Sequence, residues 1–202
     1  MREFDIVLAG VGGQGILLAA EVLGTAAVIE SLNVRVSEIH GMAQRGGAVV
    51  SHVRFGEKVL APTIVEGDAD VLLGFEALET LRNLRFVSEK TLVIMSNERI
   101  QPTELSVKMR KYPSLDEIEA KIRRFTKKII TVKTAELAKK AGNILTENIV
   151  LVGALAAAGK LPVKDESIME ALRELIPEKH SEVNAKAFKL GYSFVKNSKI
   201  RF

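Results

Sequence analysis

The 202 residues carry 29 Lys and Arg against 25 Asp and Glu, for a formal net charge of +4, with 47% hydrophobic residues and no cysteine. That length can bury a full core in one domain. The absence of cysteine excludes disulfides, thiolate catalysis, cysteine-ligated zinc and iron–sulfur clusters held by this chain alone. No apolar run approaches the roughly 20 residues that span a bilayer, and residues 1–5 alternate charged and apolar side chains with no room for a signal peptide. A cytoplasmic protein is expected.

Phe4-Asp5-Ile6-Val7-Leu8-Ala9 has too little polar alternation for a half-exposed strand and predicts the buried central strand of a parallel sheet. Gly10-Val11-Gly12-Gly13-Gln14-Gly15 follows. From Gln14 to Glu30 the chain is apolar on nearly every side, which predicts a helix packed on more than one face, with Gly24 marking a close helix contact. Strand, glycine turn and helix in that order let the backbone turn tightly and aim N–H groups at an anion or a polypeptide edge. A nucleotide site, a partner site and a merely tight turn all use the same glycines. Next come a short strand at 34–37 ending at Glu38, a glycine-rich loop at 39–47, and the runs 48–55 and 59–62, which flank Gly56-Glu57-Lys58 as a hairpin.

Buried strands at 70–75, 91–96 and 129–132, helices at 76–84 and 115–125, and an irregular segment at 97–114 complete the first 133 residues. From Thr134 onward the β-signal disappears. Helices near 134–142, 147–158, 165–176 and 181–196 follow, the last two starting at the N-cap residues Asp165 and Ser181. The expected fold is α/β, a Rossmann-like mostly parallel sheet with a β-hairpin and a helical C-terminal region. It forms one domain over 1–202, with 1–133 as the α/β core and 134–202 as a helical tail packed on it.

A dinucleotide fold places an acidic residue about 20 positions past the glycine turn to hold ribose hydroxyls, and Glu38 is suitably spaced. NAD or FAD therefore stays open, although Gln14 sits inside the motif and Glu38 leads straight into a second glycine loop. In that loop Arg45 is framed by Gly41 and by Gly46-Gly47, with no carboxylate between Glu38 and Glu57. Such an arginine suits a bidentate grip on a carboxylate, a phosphate or a partner's acidic surface, or it pairs with a distant acid of its own fold. Both glycine loops should share one surface at the carboxyl edge of the sheet.

His40 is a weak candidate for a general acid or base, since no Ser, Cys or second His completes a nucleophilic set. His52 and His180 are scattered, and no close carboxylates make a metal site. Asp68 and Asp70 read as solvent-facing capping residues. The basic run 121–128 has Phe125 as its one aromatic residue and reads as a solvated helix face rather than a nucleic-acid groove. Abundant Lys, Arg and Glu lean towards a thermophilic source. Two glycine loops and a placed arginine without chemistry of their own suit a subunit better than a self-sufficient enzyme.

Gly10-Val11-Gly12-Gly13-Gln14-Gly15-Ile16, then Glu38-Ile39-His40-Gly41-Met42-Ala43-Gln44-Arg45-Gly46-Gly47 running into Val50-Ser51-His52-Val53-Arg54, resemble the gamma-type domain of 2-oxoacid:ferredoxin oxidoreductases. The likeness continues through Ala69-Asp70-Val71-Leu72, through Asn148 with Gly153-Ala154-Leu155, and through Asn184-Ala185-Lys186-Ala187-Phe188. Within the family, His-Gly-Met-Ala-Gln-Arg-Gly-Gly is similar to the arylpyruvate branch. The resemblance implies conversion of arylpyruvates to aryl-acetyl-CoA and CO2 with ferredoxin as electron acceptor. Thiamine diphosphate, magnesium and iron–sulfur clusters would belong to a large alpha subunit, with CoA as co-substrate, and the isolated chain would be inactive and could form a homodimer. By the same resemblance Gly12, Gly13, Gln14 and Gly15, with Gly41, Arg45, Gly46 and Gly47, would face alpha, CoA or substrate, and neither a metal nor a catalytic residue would reside in this chain.

Overall fold

The computed structural model describes residues 3–40, 46–101, 111–159 and 161–198. Among these residues six strands form, β1 (Phe4–Val11), β2 (Asn33–His40), β3 (Ala48–Gly56), β4 (Val71–Gly74), β5 (Leu92–Ser96) and β6 (Ile129–Val132). The helices of the described residues are α1 (Ile16–Ile29), α2 (Ala77–Arg82), α3 (Leu115–Ile122), α4 (Thr134–Ala141), α5 (Glu147–Ala157), α6 (Asp165–Leu175) and α7 (Glu178–Asn197), with 3₁₀ turns at Leu84–Phe86 and Ile144–Thr146. The strands make one sheet of order β2-β3-β1-β4-β5-β6. Only β3 runs against the rest, so the sheet is mostly parallel.

β1 is buried on both faces, and its alternation sorts two cores. Ile6 and Leu8 point into a cluster with α1 and α4 to α7, while Val7 and Ala9 point into a smaller one with α2 and α3. Helices therefore cover both faces, as parallel strands require. The nearly all-apolar α1 packs on β2, β3, α5 and α6 at once, as its sequence predicts.

The hairpin is not where the sequence pattern puts it. β2 pairs with β3 from Asn33↔Gly56 to His40↔Val49, so the connection lies upstream of β3, and residues 59–62 form no strand. Both edges of β3 are taken, by β2 and β1, which leaves 59–62 no edge to join. β2 accordingly extends to His40, beyond the expected end at Glu38. Gly24 marks a strand contact rather than a helix contact: a Cβ there would lie 3.3 Å from Val36 Cγ2 on β2.

Two helix starts also differ. α6 is preceded by Lys164, whose N–H donates to Glu30 Oε1 at 2.5 Å, with Ser167 Oγ on the same oxygen at 2.8 Å. Asp165 falls in its first turn, where a carboxylate favours the helix dipole. α7 begins after Pro177 and takes Ser181 inside. Asp70 does secure a strand start, its Oδ2 accepting from Asp5 N–H at 3.0 Å, and Asp68 is exposed near Lys90 Nζ at 3.4 Å.

Candidate functional site

Parallel strands β1, β4, β5 and β6 all end on one edge of the sheet. The chain leaves β1 towards α1 on one face and leaves β4 towards α2 on the other, which makes their junction a topological switch point, where open α/β sheets bind ligands. The glycine turn occupies that junction. Gly13 (φ 102°) and Gly15 (φ 71°) hold left-handed conformations that favour glycine.

Gln14 is the latch of the turn. Its Oε1 accepts from Val11 N–H at 2.8 Å and its Nε2 donates to Phe75 C=O at 2.9 Å, tying the end of β1 to the exit of β4. Asn148, 3% exposed on α5, covers the start of α1, its Nδ2 donating to Gly15 C=O at 3.2 Å. Replacing Gln14 with Ala leaves two part-buried backbone groups unpartnered, at about 1–3 kcal/mol each. A loss of about 2–6 kcal/mol is expected, read as a lower urea midpoint at unchanged slope.

The two glycine loops meet. Gly12 N–H donates to Gly47 C=O at 2.9 Å, and Gly46 sits exposed at φ 76°, so the expectation of a shared surface holds for the described part of the second loop. Gly41 and Arg45 lie outside the described residues. His40 ends β2 opposite Val49, and its side chain also lies outside them.

Glu38 does not reach the glycine turn as a dinucleotide site needs. β3 stands between β2 and β1, which sets Glu38 two strand spacings, about 10 Å, from β1. His52 is 2% exposed, its Nδ1 accepting from Ile64 N–H at 2.9 Å and its ring meeting Phe86 edge-on. Burial, then Arg85 and Arg54, push its pKa below the ordinary value, so it is a neutral strut. The basic run is a solvated helix end, with Lys121, Arg123, Arg124 and Lys127 exposed.

Below the glycine turn lies a cleft of about 160 Å³, lined by Gly13, Gln14, Phe75 and Leu151 with the carboxylates Glu98 and Glu147. Neither carboxylate belongs to a motif in the sequence. Thr134 Oγ1 and Glu147 Oε2 are 2.6 Å apart, Ser96 Oγ lies 2.6 Å from Thr134 Oγ1, and Glu98 N–H donates to Ser96 Oγ at 3.0 Å. One hydroxyl chain thus holds both acidic segments. Their only sequence-level signal is position, Glu98 just past a core strand and Glu147 at a helix start. No group of three or more His, Cys, Asp and Glu suited to a metal occurs among the described residues, and none of their helices is long and apolar enough to cross a membrane.

A doubly wound sheet with a latched glycine turn at its switch point defines the class, a Rossmann-like α/β domain. The family model for pyruvate ferredoxin/flavodoxin oxidoreductase matches residues 5–194, and the chain belongs to that family. It is 43% identical over 197 residues to the indolepyruvate oxidoreductase subunit IorB of Thermococcus kodakarensis, covering 97% of this chain and 98% of the relative. Identity to the pyruvate/ketoisovalerate oxidoreductases common subunit gamma of Pyrococcus abyssi is 31%, covering 91% and 92%. Among solved structures, the 2-oxoglutarate:ferredoxin oxidoreductase of Magnetococcus marinus, solved with 2-oxoglutarate, coenzyme A and succinyl-CoA, shares the fold at TM-score 0.73 and 18% identity, over 97% of this chain and 31% of that one.

Proposed function

We propose that this chain is the small subunit of an indolepyruvate ferredoxin oxidoreductase, which decarboxylates arylpyruvates oxidatively to aryl-acetyl-CoA while reducing ferredoxin. One observation carries the reading: identity to an indolepyruvate subunit is 43% over nearly the whole of both chains, against 31% to a pyruvate/ketoisovalerate subunit. The chain has no cysteine, so any iron–sulfur cluster needs another polypeptide. In this reading a large alpha subunit holds the clusters, magnesium and thiamine diphosphate, which supplies the carbanion chemistry.

The small subunit contributes its carboxyl edge. The Gln14 latch fixes the glycine turn against β4, so Gly12 to Gly15 present a rigid surface to alpha near the active centre. Arg45, between Gly41 and Gly46 in sequence, takes a CoA phosphate or the oxoacid carboxylate in its guanidinium fork.

The test is co-expression with the large subunit and purification through a tag on this chain alone. A cluster-bearing partner should come through, and the pair should reduce ferredoxin with indolepyruvate and CoA; Arg45→Ala should raise the KM for CoA or for arylpyruvate. A chain that elutes alone overturns the subunit reading. Unchanged KM for both substrates removes the role of Arg45.

A further inference from the structure

The cleft at the carboxyl edge carries an arrangement that the fold does not require. Glu147 opens α5, and Glu98 follows β5. Neither forms an ion pair with a described residue. Burial pushes the Glu147 carboxyl above its ordinary pKa and the charge of Glu98 pushes further, against the Thr134 hydroxyl and Lys139. Around them stand Ile100, Ile144 and Leu145, the last 80% exposed. A leucine held so far into water beside two carboxylates that have no ion-pair partner among the described residues suits a surface completed by another molecule.

We propose that this cleft receives a lysine or arginine of the large partner subunit, with apolar partner side chains seated on Ile100, Ile144 and Leu145. The inference rests on the subunit reading and adds the chemistry of the contact. Charge complementarity selects the occupant. The hydroxyl chain holds the Glu147 carboxylate through Thr134 and the Glu98 backbone through Ser96, the two carboxylates of the cleft offer acceptor lone pairs to a cation, and the small cleft admits the end of one long side chain. An aliphatic stem lies along Phe75 and Leu151 while its charged head reaches Glu98 and Glu147.

The experiment measures the Kd of the complex between this chain and the large subunit at several salt concentrations. E98Q/E147Q should raise Kd by at least about tenfold and flatten its salt dependence. L145S should raise Kd and keep the wild-type salt dependence. Folding is controlled independently. Because the Glu147 pKa is raised in the folded chain, stability falls as pH rises from the unfolded value, about 4.3, through the folded one. E147Q removes that cost, so it should melt no lower than wild type at pH 7, and its gain should vanish below the unfolded value.

Wild-type Kd and salt dependence in E98Q/E147Q overturn the proposal while leaving the subunit reading intact. Loss of self-association in the isolated variant with an unchanged complex also overturns it, making a second copy the occupant. A wild-type chain that does not bind the large subunit removes both.

Discussion

Arg54→Ala is expected to lose about 3–5 kcal/mol of stability, because it breaks a buried ion pair from one side only. Arg54 stands on β3 where that strand reaches the amino edge of the sheet. Its Nε donates to Asp5 Oδ1 at 2.9 Å and its Nη2 to Asp5 Oδ2 at 3.3 Å and Glu3 Oε2 at 2.7 Å. Nη1 donates to Ala61 C=O at 2.9 Å and Thr63 C=O at 3.1 Å, so the same guanidinium ties down the crossing from β3 to β4. Asp5 is only 7% exposed. Truncation leaves its charge with little water and no partner, and leaves two carbonyls unpaired. The check is urea unfolding of Arg54→Ala beside Arg54→Met with Asp5→Asn. The second chain removes the stranded charge and should recover part of the loss; equal losses would show that the carbonyl contacts, not the ion pair, dominate.

Gly191→Ala is expected to cost about 3 kcal/mol or more, since it drives a methyl into backbone rather than into a side chain that can turn away. A Cβ at Gly191 on α7 would lie 1.9 Å from Val150 C=O oxygen on α5, and one at Gly153 on α5 would lie 2.1 Å from Phe188 C=O oxygen on α7. The two glycines face reciprocal backbones across one crossing. Either methyl forces the helices apart by more than 1 Å and opens the packing around Ala154, Ala187 and Phe188. For a chain of this length the midpoint should drop by roughly 6–12 °C in a thermal melt. Gly153→Ala should behave alike, and the double variant should lose less than the sum, because the first methyl has already separated the helices. A single variant that melts with wild type would mean that the crossing slides at little cost.

Motifs read as family marks have physical occupations. Asn148 covers Gly15, Gly153 admits Phe188, and His52 and Arg54 pin the segment between β3 and β4. Gly15, Asn148, Gly153 and Phe188 belong to one family pattern in the sequence, but no periodicity in it shows that the first pair and the last pair touch.

What the sequence alone determined is whatever a short window encodes. Apolar runs without alternation located β1, β4, β5 and β6, and the all-apolar 16–29 stretch showed that α1 is packed on several faces. The glycine turn, the helical C-terminal region and the lack of cysteine were equally legible. Tertiary structure alone decided the rest. Insertion of β3 between β2 and β1 depends on pairing between strands, so the sequence pattern put the hairpin one connection too late and left open for Glu38 a ribose-binding role that it does not hold. Glu98 and Glu147 meet only because β5 ends and α5 begins at the same edge of the sheet. Hydrophobic periodicity reports which face of an element is buried, whereas strand order and the meeting of distant side chains follow from how the faces are covered together.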